Sequence, residues 1–243
     1  MTALEQSEVV WGTTRIAYAI RRSARRTTVS LAVEPGGMIV LTAPPGATVA
    51  KLDSIVRAKA QWLVQRKRER ETLPPPRMRE FVSGETFRYL GKQYRLRLMA
   101  GVGVRPIALR AGWLELPVPE ALDEEARPEY VRAALADWYT RIARERFEGW
   151  VDAWAKRAGQ TYVAVKIADQ EKRWGSCSQG VLRFNWRLMQ APRALIDYVI
   201  AHELVHLKHE HHDAAFWAAL GRLMPDYERR KDALRTLGGD LIW

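Results

Sequence analysis

All five histidines of this 243-residue chain, His202, His206, His209, His211 and His212, fall within one short stretch. His202 and His206 are four residues apart, so on a helix they lie one above the other on the same face. Imidazoles rooted about 6 Å apart can converge on one Zn²⁺ at about 2.0–2.1 Å from each nitrogen. Glu203, one position on, is turned aside from both ligands and can reach a water instead of the metal, as a general base requires. The helix cannot run on unbroken, because His209 would then lie about 10 Å along the axis from His202, too far to share an ion. The chain must turn back after about Lys208, and a later residue must close the site, with the fourth metal position left for water. His212, His211 and Glu210 are all available for that role, but adjacent side chains diverge, so only one of them points inward. His212 stands six residues after His206, the spacing of HExxHxxGxxH zinc proteases, with His209 in the place of the glycine. The apolar residues just upstream, Leu195, Ile196, Tyr198, Val199 and Ile200, predict a buried helix, not a solvated histidine-rich surface.

The segment His202–Trp217 resembles the active-site signature of the YgjP-like metallopeptidases, whose third histidine opens a His-x-x-x-Phe-Trp element. Here that element runs from His212 to Phe216-Trp217. Other marks of the resemblance are Arg173-Trp174-Gly175-Ser176-Cys177-Ser178, Phe184-Asn185-Trp186-Arg187-Leu188, Ile196-Asp197-Tyr198-Val199 and Met224-Pro225-Asp226-Tyr227. It is strong over residues 160–237, general in the front half, and reaches more distantly to the Spartan-type proteases that digest DNA–protein crosslinks. Asp213 departs from the serine common at that place. The resemblance implies a zinc metallopeptidase holding one Zn²⁺ on His202, His206 and His212, with Glu203 as catalytic base. Arg173, Trp174, Ser176 and Tyr227 are the candidate substrate-side residues, and Arg173 and Tyr227 the candidate oxyanion donors. The Trp174–Ser178 stretch reads either as an edge strand facing a peptide substrate or as a tight strand with Gly175 for close backbone approach and Cys177 as a small buried hydrophobe. Phe216 and Trp217 read as core residues locking the returning loop.

Along the chain the pattern predicts an α+β fold, with a β-rich region over residues 1–120 and a zincin-like helical domain over 121–243 that carries a small antiparallel sheet. In the front half, alternation through Val29–Val33, a turn at Gly36-Gly37 and Met38–Thr42 predict a hairpin. Thr48 is the N-cap of one helix carrying Leu52, Ile55, Val56, Trp62 and Leu63. Pro74-Pro75-Pro76 forbids helix and marks a stiff linker. Thr86–Leu90, Gln93–Met99, Val104–Leu109 and Trp113–Pro117 read as an antiparallel meander. A long helix opens near Pro128 through Val131, Leu135, Trp138, Ile142, Trp150 and Trp154. Strands follow at Val163–Ile167 and on either side of Gln179-Gly180 (Lys172–Ser178 and Val181–Trp186), and a further helix opens after Ala191-Pro192. No internal repeat is visible.

The formal charge of +11 is partly local. Arg15, Arg21, Arg22, Arg25 and Arg26 form one cluster, and Arg57, Lys59, Arg66, Lys67, Arg68 and Arg70 another. Together they predict contact with nucleic acid or another polyanion through the basic N-terminal half. A metal-dependent nucleotide phosphohydrolase and a nucleic-acid-associated protease are the alternative functions. No Walker-type or other glycine-rich phosphate loop supports the former. The single Cys177 excludes an intramolecular disulfide and fits a reducing cytoplasm. No apolar run of membrane length and no leader-like start occur, so the expectation is a cytoplasmic enzyme with a peptide or protein substrate and no membrane partner.

Overall fold

A computed structural model describes residues 4–71, 79–101, 105–170 and 173–243. The chain forms two compact units, Met1–Pro75 and Pro76–Trp243. The Pro74–Pro76 linker lies outside the described residues.

The first unit holds β1 (Glu5–Trp11), β2 (Thr14–Arg22), β3 (Ser30–Val33), β4 (Ile39–Ala43), α1 (Val49–Ala58) and α2 (Ala60–Glu71). The hairpin expected around Gly36-Gly37 is β3–β4, with Val33 opposite Ile39. Thr48 caps α1 as expected, its hydroxyl accepting from the Lys51 amide. The single helix expected after it is two, broken at Lys59, whose φ of −107° and ψ of 12° leave the helical region. Ile20, Leu41, Leu52, Val56 and Leu63 close the core of this unit. Each such fully buried aliphatic side chain stabilises it by about 1.5–3 kcal/mol. The first arginine cluster is less open than its sequence suggests: Arg15, Arg21 and Arg22 pair with Glu8, Glu34 and Glu5.

The second unit begins with β5 (Thr86–Tyr89), β6 (Lys92–Ala100), β7 (Ala108–Arg110) and β8 (Trp113–Val118). These do not form a meander. Their order is β5-β6-β8-β7, with β6 parallel to β8 and only the outer pairs antiparallel. Apolar alternation has the same period in parallel and antiparallel strands, so it could not distinguish the two. The first sheet has the same arrangement, β1-β2-β4-β3 with β2 parallel to β4. Four strands of one topology followed by helix thus occur twice, a repeat of architecture that the residue pattern hides.

Helix α3 (Arg127–Ala158) follows, opened by Pro128 and Glu129 and ended by Lys156, Arg157 and the left-handed Gly159. At 32 residues it is about 48 Å long. Its buried face, with Val131, Leu135, Tyr139, Phe147 and Val151, lies in one core with Phe87, Leu96, Leu114 and Leu116 from the strands before it and Phe184, Ile196 and Leu204 after it. The Tyr139 hydroxyl donates to the Arg88 carbonyl, and the Leu90 amide to Met189 O at 2.8 Å. These links place residues 79–118 in the same compact unit as α3.

Beyond α3 come β9 (Ala164–Ala168), β10 (Gly175–Ser178) and β11 (Val181–Asn185) in the order β10-β11-β9. The β10–β11 hairpin is antiparallel, closed by Gln179-Gly180 with both φ angles positive, while β9 joins β11 in parallel. β10 is therefore an edge strand. A 3-10 segment (Trp186–Gln190) leads to α4 (Arg193–Val205), α5 (Ala214–Leu223) and α6 (Tyr227–Leu237). Among the described residues no helix is long and apolar enough to cross a membrane.

Candidate metal centre

Helix α4 is a core helix. Leu195, Ile196, Val199, Ile200, Ala201, Leu204 and Val205 are buried, and His202 stands partly open among them. His206 is its C-cap residue, still with helical angles. The Leu207 and Lys208 amides then bond to Leu204 O and Val205 O, a tightened last turn that ends the helix at the place the sequence required.

The returning chain enters α5 through Asp213, whose carboxylate accepts from the Phe216 amide at 2.9 Å. Asp213 is thus an N-cap, a place where serine and aspartate serve equally well, which accounts for the departure from serine. Phe216, fully buried, sets its ring centroid 4.6–4.9 Å from those of His202, His206 and His212 and floors the site. Trp217 stacks on His212 and donates from its indole nitrogen to the His212 carbonyl at 3.2 Å. Both aromatics lock the returning loop, as expected.

The Nε2 atoms of His202, His206 and His212 converge: 3.2 Å between His202 and His206, 3.1 Å between His206 and His212, and 2.9 Å between His212 and His202. Among the described residues these three alone form a cluster that could hold a metal ion. One ion at about 2.0–2.1 Å from each nitrogen, with tetrahedral angles, sets them roughly 3.3 Å apart, close to the spacing present. Burial first, then His206, His212 and Lys231, depress His202 to about 3, and burial followed by His206 also lowers His212. His202 and His212 are thereby held towards the neutral form, and the three Nε2 atoms face a common point, an arrangement that a cation resolves. His206 is oriented for this, because its Nδ1 lies 2.9 Å from the His209 carbonyl and carries the proton, leaving Nε2 free. The Nδ1 of His202 is buried without a partner. His211 and Glu210 are exposed and outside the cluster.

Glu203, 5% exposed, lies on the buried side of α4, where burial raises its carboxyl to about 8 against a lowering influence from Arg173. Its Oε1 lies 2.7 Å from the position a β-carbon on Gly175 would occupy, so β10 runs directly against the carboxylate. Cys177, two residues on and on the same strand face, is half-buried and raised by burial and by Glu203.

The four candidate substrate-side residues are not brought together. Arg173 is exposed on the Glu203 side. Trp174 packs its ring on Gly238 and gives its carbonyl to the Asn185 amide. The Ser176 hydroxyl, on the strand face opposite Gly175, is 3.5 Å from the Gln170 amide nitrogen. Tyr227 stacks on Trp217, with its hydroxyl donating to Glu228. Sequence reasoning placed Tyr198 only among the apolar residues of the helix; its ring meets that of His202 at 5.9 Å, as the four-residue spacing 198-202-206 allows.

The profile of the YgjP-like family, metallopeptidase domain, matches residues 27–237. The chain belongs to this family. The match spans both units, including most of the front half, where the sequence resemblance was only general. No curated protein matches the chain. Among solved structures, the metallopeptidase zymogen abylysin of Pyrococcus abyssi matches at 19% identity and a TM-score of 0.36, over 40% of this chain and 98% of that one.

Proposed function

We propose that this YgjP-like domain is a zinc-dependent peptidase that cleaves peptide bonds in a peptide or protein substrate. The observation that carries the reading is the convergence of three imidazole Nε2 atoms within 3.2 Å of one another beside a buried carboxyl on the same helix. His202, His206 and His212 hold one Zn²⁺. When bound, Zn²⁺ lowers the pKa of a coordinated water and polarises the scissile carbonyl. Glu203 takes the proton of the attacking water as it adds to the carbonyl carbon, then delivers that proton to the leaving nitrogen as the C–N bond breaks. Burial makes the Glu203 carboxylate a stronger base, which suits it to take the water's proton and hold it until the leaving nitrogen receives it. The free edge of β10 pairs with the main chain of an extended substrate, which brings the scissile bond past Glu203. Open histidine sites with a neighbouring acid are catalytic in character, whereas structural zinc sites are closed by four protein ligands.

The test measures zinc per chain together with cleavage of unfolded β-casein. Wild type should bind one zinc and release new amino termini, and Glu203→Gln should bind as much zinc yet lose cleavage by at least about a hundredfold. Equal cleavage by Glu203→Gln and wild type would refute the role given to Glu203, and a zinc-loaded wild type that cleaves nothing would refute the peptidase reading.

A further inference from the structure

The peptidase reading leaves one group unassigned, the donor that meets the negative charge on the carbonyl oxygen as water adds. Tyr227 is poorly disposed for this, since its hydroxyl is engaged by Glu228 and its ring is pinned on Trp217. Arg173 is exposed and acts on the Glu203 carboxylate, on the side of the base. The Lys231 ammonium sits over the rings of Trp217 and Tyr227, at 5.1 and 5.9 Å.

Tyr198 differs from all three. It stands four residues before His202 on α4, so both side chains project from one stripe of the helix. Its ring meets the His202 ring edge-on, at 5.9 Å and 60°, and the residue is only 7% exposed. Among the described residues its hydroxyl makes no hydrogen bond, and it is not sealed from solvent as the unpartnered Nδ1 of His202 is. A hydroxyl that no protein group uses and that opens to solvent beside His202 is available to donate to an incoming substrate oxygen. Tyrosine is also the right chemical type, because a phenol with an ordinary pKa near 10 remains a neutral donor at neutral pH.

We infer that the Tyr198 hydroxyl, one helical turn from His202 and free of protein partners, donates a hydrogen bond to the oxyanion of the tetrahedral intermediate. In the addition step the water oxygen bonds to the carbonyl carbon, the π pair moves onto the carbonyl oxygen, and Glu203 takes the proton. Tyr198 keeps its own proton throughout and only shares it. On collapse the oxygen pair reforms the C=O bond, the C–N bond breaks, and the Glu203 proton goes to nitrogen. The inference rests on the peptidase reading, but adds a residue that the histidine motif does not contain.

The test uses the full chain loaded with zinc and the Tyr198→Phe variant, which keeps the ring against His202 and deletes only the oxygen. Two probes are used: a quenched peptide taken from a casein sequence that wild type cleaves, and a phosphinic peptide, whose tetrahedral phosphorus imitates the intermediate, titrated by calorimetry. The expected result is a kcat lower by roughly tenfold to a thousandfold, the range for loss of one oxyanion donor. KM should stay within about twofold, zinc should remain one per chain, and phosphinic-peptide affinity should fall at least tenfold. Wild-type kcat and wild-type phosphinic affinity in the variant would overturn the inference while leaving the peptidase reading intact. Loss of zinc from the variant would make Tyr198 a support for His202 and overturn the donor role. A zinc-loaded wild type that neither cleaves nor binds the phosphinic peptide would defeat the peptidase reading and this inference with it.

Discussion

The Glu203 carboxylate occupies the space that a side chain on Gly175 would need: a β-carbon there would lie 2.7 Å from Oε1, 2.8 Å from Cγ and 3.0 Å from Cδ. The overlap involves the stem of the glutamate and not only its mobile end, so rotation of the carboxylate does not relieve it. Gly175→Ala should displace Glu203, with overpacking that destabilises by about 1–3 kcal/mol and peptide cleavage reduced at least tenfold. Zinc content should be unchanged, because the three atoms nearest that position all belong to Glu203 and none to a histidine. Measuring zinc and cleavage on one preparation checks this, and an alanine variant as active as wild type would show that β10 yields freely.

The three outer histidines should separate cleanly. His209 serves the site through its backbone carbonyl, which any residue supplies, and His211 lies outside the cluster. Alanine at either position should leave zinc affinity within about tenfold, the scale of an outer-shell effect. His212→Ala removes one of three converging nitrogens and should cost far more. Competition with a fluorescent zinc chelator gives all three affinities, and equal affinities for the His211 and His212 variants would mean that the third ligand is misassigned.

Asp213 should be replaceable by serine but not by alanine. Its carboxylate caps α5 while the preceding residue, His212, faces the other imidazoles. Asp213→Ala should cost about 1 kcal/mol through the lost cap and weaken zinc several-fold by loosening His212. Asp213→Ser should restore both, as thermal melting and zinc titration on the pair would reveal.

How far the sequence could be read depended on whether the deciding interaction was local. The convergence of His202 and His206 follows from helical spacing alone, and the reversal after Lys208 from the length of a helical turn. The Thr48 cap and the Gln179-Gly180 turn are equally local. The parallel pairing of Leu96 with Leu114 was not legible, because alternation looks the same in either direction. That residues 79–118 join the core of α3 was not legible for a related reason: Phe87 and Leu116 read as strand residues in any context, and only their place in one core with Leu135 and Tyr139 puts them in the second unit. Trp174 and Ser176 sit in a recognisable motif, but the strand pleat and the approach of Gly238 decide where they point, and neither is written in the motif.

The two buried titratable groups of the site should give the metal-free protein an unusual pH dependence. Glu203 is raised from 4.5 to about 8, chiefly by burial, and His202 lowered from 6.5 to about 3, also chiefly by burial. Between about 4.5 and 8 the folded state holds a proton on Glu203 that the unfolded chain releases, so raising the pH through this window removes stability. Between about 3 and 6.5 the unfolded chain binds the extra proton on His202, so raising the pH there adds stability. The two oppose each other from 4.5 to 6.5, and above 6.5 only the Glu203 effect remains. The unfolding free energy from urea titration in the presence of a chelator should therefore fall between pH 6.5 and about 8, by an amount on the order of a few kcal/mol at most. Glu203→Gln should remove that fall, having no proton to lose. Arg173→Ala should move it to higher pH, because the guanidinium is what favours the carboxylate. Added Zn²⁺ should shrink it, since a nearby cation stabilises the ionised form. A fall of the same size in Glu203→Gln would assign the transition to another group and remove the basis for treating Glu203 as a carboxyl held near its protonated state.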